Sequence, residues 1–212
     1  MSKYTSRRPV RGSRMKHDRS NETVPSQAFV SESDAASMEF FVHNVAKKGY
    51  DAIIPTINSV EKAIVMAEIF KHAKREVKIY DYSLTDYIAK QHTSFYTELQ
   101  NYLKSGKLLK IILQNDEKPN SSTHKLLAEY AENSEQVQIK VADNEIKKNM
   151  AIVMKRDVNF IVNDQAAYRF ELAERHNQQQ EIDAIYSFND KDFSEKLNDA
   201  FDFGFKQNPK LG

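Results

Sequence analysis

Residues 158–171 read VNFIVNDQAAYRFE. Val158–Val162 and Ala167–Glu171 are short runs rich in β-branched and aromatic side chains, and the polar Asn163-Asp164-Gln165 between them supplies turn chemistry. The stretch therefore reads as a β-hairpin. Upstream, Met150–Met154 and Val137–Val141 read as two further strands, and Thr123–Asn133 as a helix. Leu108–Leu113 (LLKIIL) is almost continuously apolar, the pattern of a strand buried on both faces. Ahead of it Thr93 and Ser94 open a helix whose Phe95, Leu99, Tyr102 and Leu103 share one face, and Ser105–Gly106 closes it. Glu76–Tyr82 (EVKIYDY) alternates as a strand does. Asn58 and Glu61 have capping-box spacing, which predicts a helix reaching about Lys74 with Val60, Ile64, Ala67 and Ile69–Phe70 on its apolar face. Earlier still, Met38–Val42 (MEFFV) reads as a short apolar strand, Lys47–Gly49 as a turn and Tyr50–Ile54 as a second strand ended by Pro55.

Beyond the hairpin, Ile182–Phe188 is another strand, and Asn189 or Asp190 caps a last helix on which Phe193, Leu197, Phe201 and Phe205 recur every four residues. Helices first alternate with strands, then strands cluster, then one helix closes the chain. That order predicts an α/β protein with a mixed sheet flanked by helices on both faces. With 212 residues and 40% hydrophobic side chains, one domain is expected over residues 29–212. Residues 1–28, rich in Ser, Arg, Asn and Pro and without apolar periodicity, read as a disordered tail.

Charge is unevenly distributed. Lys3, Arg7, Arg8, Arg11, Arg14, Lys16 and Arg19 stand against Asp18 alone in the first twenty residues, while the whole chain has a net charge of +1. Arg7, Arg8, Arg11, Arg14, Lys16 and Arg19 are the candidates to hold nucleic-acid phosphates or an acidic protein surface, with a solubilising tail as the equal alternative. Two other basic densities, Lys71–Lys90 and Lys104–Lys110, are interleaved with Glu76, Asp81 and Asp86 and read as solvated faces. The absence of cysteine excludes disulfides, thiolate metal sites and cysteine nucleophiles. No stretch approaches the length of a membrane span and no apolar core follows the N-terminal arginines, so a cytoplasmic location without membrane contact is expected. Five glycines form no phosphate-cradling loop, and the histidines, among them His43, His72, His124 and His176, show no metal-binding or catalytic spacing.

Taken together, EVKIYDY, FYTELQNYLKSG, KLLKIIL, VQIKV, VNFIVNDQAAYRFE, IYSF and NDKDFSEKLNDAFDFGF resemble, over about residues 58–207, one half of a phospholipase D-like domain. That superfamily pairs two motifs of the form His-x-Lys-x4-Asp-x6-Gly-Ser to make one site. If Asp164 is the motif aspartate, Asp157 takes the histidine position, Asn159 the lysine position, and Glu171 and Leu172 the Gly-Ser positions. In the family the histidine attacks phosphorus, and a partner histidine protonates the leaving group. A carboxylate at position 157 repels a phosphodiester, and an asparagine at 159 transfers no proton near neutral pH.

The resemblance thus implies a pseudoenzyme, with Asp157, Asn159, Asp164 and Glu171 as degenerate motif positions and no cofactor or metal. Its role would be that of a binding or scaffold subunit in a bacterial multi-protein or nucleoprotein complex of the phage-defence or mobile-element type. A single half implies a homodimer or a related phospholipase D-like partner chain. One alternative is a diverged nuclease or phosphodiesterase with a rebuilt acidic, metal-dependent site at Asp157, Asp164 and Glu171, for which clustering of the carboxylates is the requirement. The other is a regulatory partner of an intact phospholipase D-like enzyme. Arg169 and Glu171, two apart on a strand, read as a structural ion pair.

Overall fold

The computed structural model describes residues 32–56, 59–82, 84, 93–115, 122–133, 135–171 and 184–206. The expected tail over 1–28 and its arginines lie outside these. The described elements are α1 (Glu32–Lys48), β1 (Ile54–Thr56), α2 (Ser59–His72), β2 (Glu76–Asp81), α3 (Thr93–Lys104), β3 (Leu108–Leu113) and α4 (Ser122–Asn133). After these come β4 (Val137–Val141), α5 (Asn144–Met154), β5 (Asn159–Asn163), β6 (Tyr168–Glu171), β7 (Ala184–Ser187) and α6 (Lys191–Lys206). They form one seven-stranded sheet in the order β1-β7-β6-β5-β2-β3-β4. β2, β3 and β4 run parallel, and β5, β6, β7 and β1 continue the sheet antiparallel.

The mixed α/β sheet is covered on both faces. Under α1 to α4 lies a core built from Val42, Ile64, Ile69, Phe70, Leu99, Leu103 and Leu127 against Val77, Ile79, Leu109, Ile111 and Ile161. Under α5 and α6 a second core joins Ile146, Met150, Leu197 and Phe201 to Tyr80, Ile112, Phe160, Val162, Tyr168 and Phe170. β3 is hydrogen-bonded on both sides, as its apolar run requires. The expected hairpin is β5–β6, in which Asn163 Oδ1 accepts the N–H groups of Gln165 and Ala167 and so shapes the turn. Asp190 caps α6 by accepting the Phe193 N–H at 3.1 Å, and the stripe on that helix faces the second core.

Four expectations are corrected. Met38–Val42 is helical and lies within α1: Val42, Val45 and Ala46 are buried at i, i+3 and i+4, whereas Phe40 and Phe41 face outward at 73% and 51% exposure, which no alternating strand would do. Gly49, at φ +59, ends that helix. Met150–Met154 is the last turn of α5. Lys155 ends that helix in the left-handed region, and Asp143 Oδ1 caps it on Ile146 N at 2.8 Å, an N-terminal signal seven residues upstream of the apolar run. The first strand is Ile54–Thr56 rather than Tyr50–Ile54, with Pro55 tolerated because β1 is an edge strand bonded only to β7. Finally, β2 does not alternate with solvent. Val77 to Asp81 are all buried, and Lys78 reaches Asp202 of α6 at 2.8 Å instead of lying on a solvated face.

Candidate functional site

The carboxyl ends of β2 and β3 coincide with the start of β5 and the end of β6, because β5 runs antiparallel to β2 and β6 antiparallel to β5. In open α/β sheets this is the end where ligands are bound. The first two turns of α2 lie over it. Among the described residues this place holds a buried polar cluster made by side chains from four separate segments.

Its centre is Glu171 at the end of β6. Asn159, its register partner on β5, donates Nδ2–H to Glu171 Oε2 at 2.6 Å. Lys62 of α2, with a side chain only 3% exposed, places Nζ 3.2 Å from Glu171 Oε1. Arg169, two residues back on the same strand face, holds Nη2 at 3.9 Å from that oxygen. Asn159 Oδ1 in turn accepts the Tyr82 backbone N–H at 3.1 Å and Gln114 Nε2–H at 3.2 Å, while Gln114 Nε2 also donates to the Val158 carbonyl at 2.8 Å. The Asn159 amide is thereby held on both sides, and its orientation is set by the chain ends of β2 and β3.

The electrostatics follow from this packing. Burial lowers the pKa of Lys62, the nearby Arg169 guanidinium lowers it further, and Glu171 and Asp81 offset only part of that. Burial alone would raise Glu171, but Lys62, Arg169 and the Asn159 hydrogen bond outweigh it and keep the carboxyl below its ordinary range. Arg169 is 1% exposed, and its Nε and Nη2 make no hydrogen bond. Tyr186, opposite Arg169 in the register, has its hydroxyl pushed up by burial and by Glu61.

Of the four positions that the resemblance singles out, the fold brings together Asn159 and Glu171 and separates Asp157 and Asp164. Asp157 is exposed ahead of β5. Asp164 follows the far end of β5, roughly 15 Å along the strand from Asn159. There its carboxylate accepts the backbone N–H groups of Lys74 at 2.9 Å and Arg75 at 3.1 Å, and it meets Arg75 Nε at 3.3 Å. Burial raises Asp164, but these bonds and the Glu76 backbone contact lower it further than burial lifts it. Asp164 is a clamp on the α2–β2 connection. Asp157, Asp164 and Glu171 do not converge, and no cluster of three metal-ligating side chains occurs among the described residues.

The expected Arg169–Glu171 pair is present. Lys62 and Gln114 were missed by sequence reasoning. The available signal for Lys62 was its place within SVEKAIVMAEIF, where apolar residues surround the charges on every side of the helix, so that a buried partner is required. No such signal marks Gln114.

No protein-family model matches the chain, and no curated protein matches its sequence. Among solved structures it is similar to TrmBL2, an archaeal chromatin protein described as showing a novel mode of DNA binding, at 13% identity over 84% of this chain and 62% of that one, with a TM-score of 0.53. The chain therefore spans less than two thirds of that protein's length. A further similarity is to Nuc from Salmonella typhimurium, a phospholipase D family member, at 11% identity over 74% of this chain and 96% of that chain, with a TM-score of 0.47. No helix among the described residues is long and apolar enough to cross a membrane. What the chain shares with the chromatin protein is its fold, a mixed α/β sheet with helices on both faces.

Proposed function

We propose that this chain is a non-catalytic phospholipase D-like protein, a binding or scaffold subunit whose ligand is nucleic acid and whose partner is a second copy or a related chain. One observation carries the reading. At the position of the family's lysine stands Asn159, held on one side by Glu171 and on the other by Gln114 and the Tyr82 N–H. An amide fixed in this way is neither a nucleophile nor a proton donor for a leaving group. Asp157, at the histidine position, adds only negative charge. A rebuilt acidic metal site is disfavoured by the separation of Asp164 from Glu171 and by the engagement of both carboxylates.

The nucleic-acid part is supported by the basic arm over residues 1–28 ahead of the folded domain. The DNA binding named for the chromatin protein of like fold is compatible with it. The full-length protein is titrated with labelled single- and double-stranded DNA and RNA over a range of salt, with a degradation readout with and without Mg²⁺. Salt-sensitive binding without degradation is the expected result. Metal-dependent cleavage abolished by Asp164→Ala would overturn it, and the absence of any binding would remove nucleic acid as the ligand.

A further inference from the structure

The amino end of the sheet, opposite the polar cluster, has a different character. α1, α2 and α3 all terminate there. Asn189, just past β7, donates to the Gly49 carbonyl after α1, and Lys107, after α3, reaches the Ala73 carbonyl after α2 at 2.7 Å. Leu108 N–H donates to the Arg75 carbonyl at 2.9 Å, so two basic segments far apart in sequence become neighbours. The three helix ends expose Lys47 and Lys48, then Lys74 and Arg75, then Lys104.

Cations are favoured at any helix C-terminus. α4, which ends at the same edge of the sheet, has no basic residue in its last turn and exposes Glu129 and Glu132 instead, so the basic row is confined to α1, α2 and α3. Carboxylates within the row are already engaged. Asp164 is held by the backbone of Lys74 and Arg75 and pairs with Arg75 Nε, whose side chain stays 85% exposed, Glu76 takes Lys78 and Lys110, and Glu68 takes Lys71 with His43 and His72. The exposed Asp51 and Glu135 stand only at the flanks, ahead of the two outermost strands. Tyr50, half exposed, lies beside Lys48 at 5.5 Å and adds an aromatic face to one end.

We propose that Lys47, Lys48, Lys74, Arg75 and Lys104 form a ridge that binds the phosphate backbone of a nucleic acid, at the end of the sheet opposite the degenerate motif. α1 packs on α2 and α2 on α3. At roughly 9 Å between neighbouring axes the ridge is about 18 Å long, matching about five phosphates of one strand at 3.4 Å per step. The site deepens the nucleic-acid part of the reading above and is independent of the arm. The arm joins α1 at its other end, about 25 Å away for 17 residues of helix.

The test uses full-length protein with labelled duplex DNA and three charge-matched variants. One carries Lys47→Gln, Lys74→Gln and Lys104→Gln in the ridge; one carries Arg8→Gln, Arg11→Gln and Arg14→Gln in the arm; the third carries Lys125→Gln, Lys148→Gln and Lys196→Gln on other exposed surfaces. Thermal melts confirm that each is folded. The ridge variant is expected to flatten the dependence of log K on log salt by about 2 to 3, one unit per lost phosphate contact, while the third variant leaves the slope near that of the parent. A ridge variant that binds like the parent, or a third variant that loses as much, overturns the ridge. In the first case loss confined to the arm variant leaves the reading above standing. A parent that binds no nucleic acid at low salt overturns both.

Discussion

Replacing Glu171 by Gln would remove the carboxylate that meets Lys62 Nζ at 3.2 Å while keeping the side chain's shape. The lysine side chain is 3% exposed, so it cannot recover its hydration without moving α2 off the sheet. Removing one member of a buried pair costs about 3–5 kcal/mol, and the lower figure applies here because Lys62, already displaced downward by burial and Arg169, can shed its proton. For a chain of this size about 3 kcal/mol corresponds to a fall in melting temperature of roughly 6–12 °C. Circular dichroism during heating and urea titration reads it directly. Pairing the change with Lys62→Met should recover part of the loss, since the stranded charge is then gone, with a coupling energy of about 1–3 kcal/mol in the double-mutant cycle. The pH dependence supplies a second check. The folded state binds the Lys62 proton less tightly than the unfolded chain, whose lysine titrates near 10.5. Between the two pKa values the unfolded state therefore holds more protons, and this residue makes stability rise with pH in that window. Lys62→Met should abolish that alkaline gain. A Glu171→Gln protein that melts within about 2 °C of the parent would refute the reasoning, because Lys62 would then have to be solvated or neutral in the fold.

Other consequences follow from the same structure. Asp164→Asn should cost about 1–2 kcal/mol in urea unfolding, as the Lys74 and Arg75 N–H groups lose a charged acceptor. Because the folded pKa of Asp164 is depressed, its contribution is present above the ordinary carboxylate range and is lost as pH falls through the folded value, so the variant should show a weaker acid-side loss of stability. Phe201→Ala on α6 empties a fully buried ring site that stacks on Phe205, and should cost about 3–5 kcal/mol in the same assay. Gly204→Ala should be neutral or stabilising by up to about 1 kcal/mol, since an added Cβ meets Ile146 at 3.4 Å and Ile112 at 3.6 Å, ordinary contact distances, in a helix that disfavours glycine. A bulkier Gly204→Leu should lower the melting temperature by overpacking that contact.

Most strands were legible because their neighbours are local or their burial is uniform. β3 carries its two-sided burial in its own composition, and β5–β6 announces itself through turn residues that bond within the hairpin. The two apolar runs misread as strands, Met38–Val42 and Met150–Met154, show where such reading stops. Five apolar residues in a row have no period, so whether they coil or extend depends on residues outside the run. For α5 the deciding feature was Asp143, whose cap lies well upstream. For α1 it was Val45 and Ala46, beyond the run, which complete a helical face on α2.

The site was half legible for a different reason. Counting along one strand could place Asn159 and Asp164 on β5 and Glu171 on β6, but not the register that puts Asn159 opposite Glu171. Nor could it show that Asp164 turns outward to the backbone of Lys74 and Arg75. The partners that complete the cluster, Lys62 and Gln114, come from 109 and 57 residues before Glu171, on elements brought there only by the sheet order β6-β5-β2-β3. The same topology joins Lys74 and Arg75 to Lys104 at the other end. A chain read segment by segment therefore shows two diluted basic densities and one degenerate motif, while the folded sheet sorts the charges by end. Lysine and arginine from three helix ends gather at the amino end, with exposed acids at its flanks, and paired charges and amides sit at the carboxyl ends of β2 and β3. Asn159, Glu171, Lys62 and Gln114 are linked across four segments, so this cluster is part of what holds the sheet to α2.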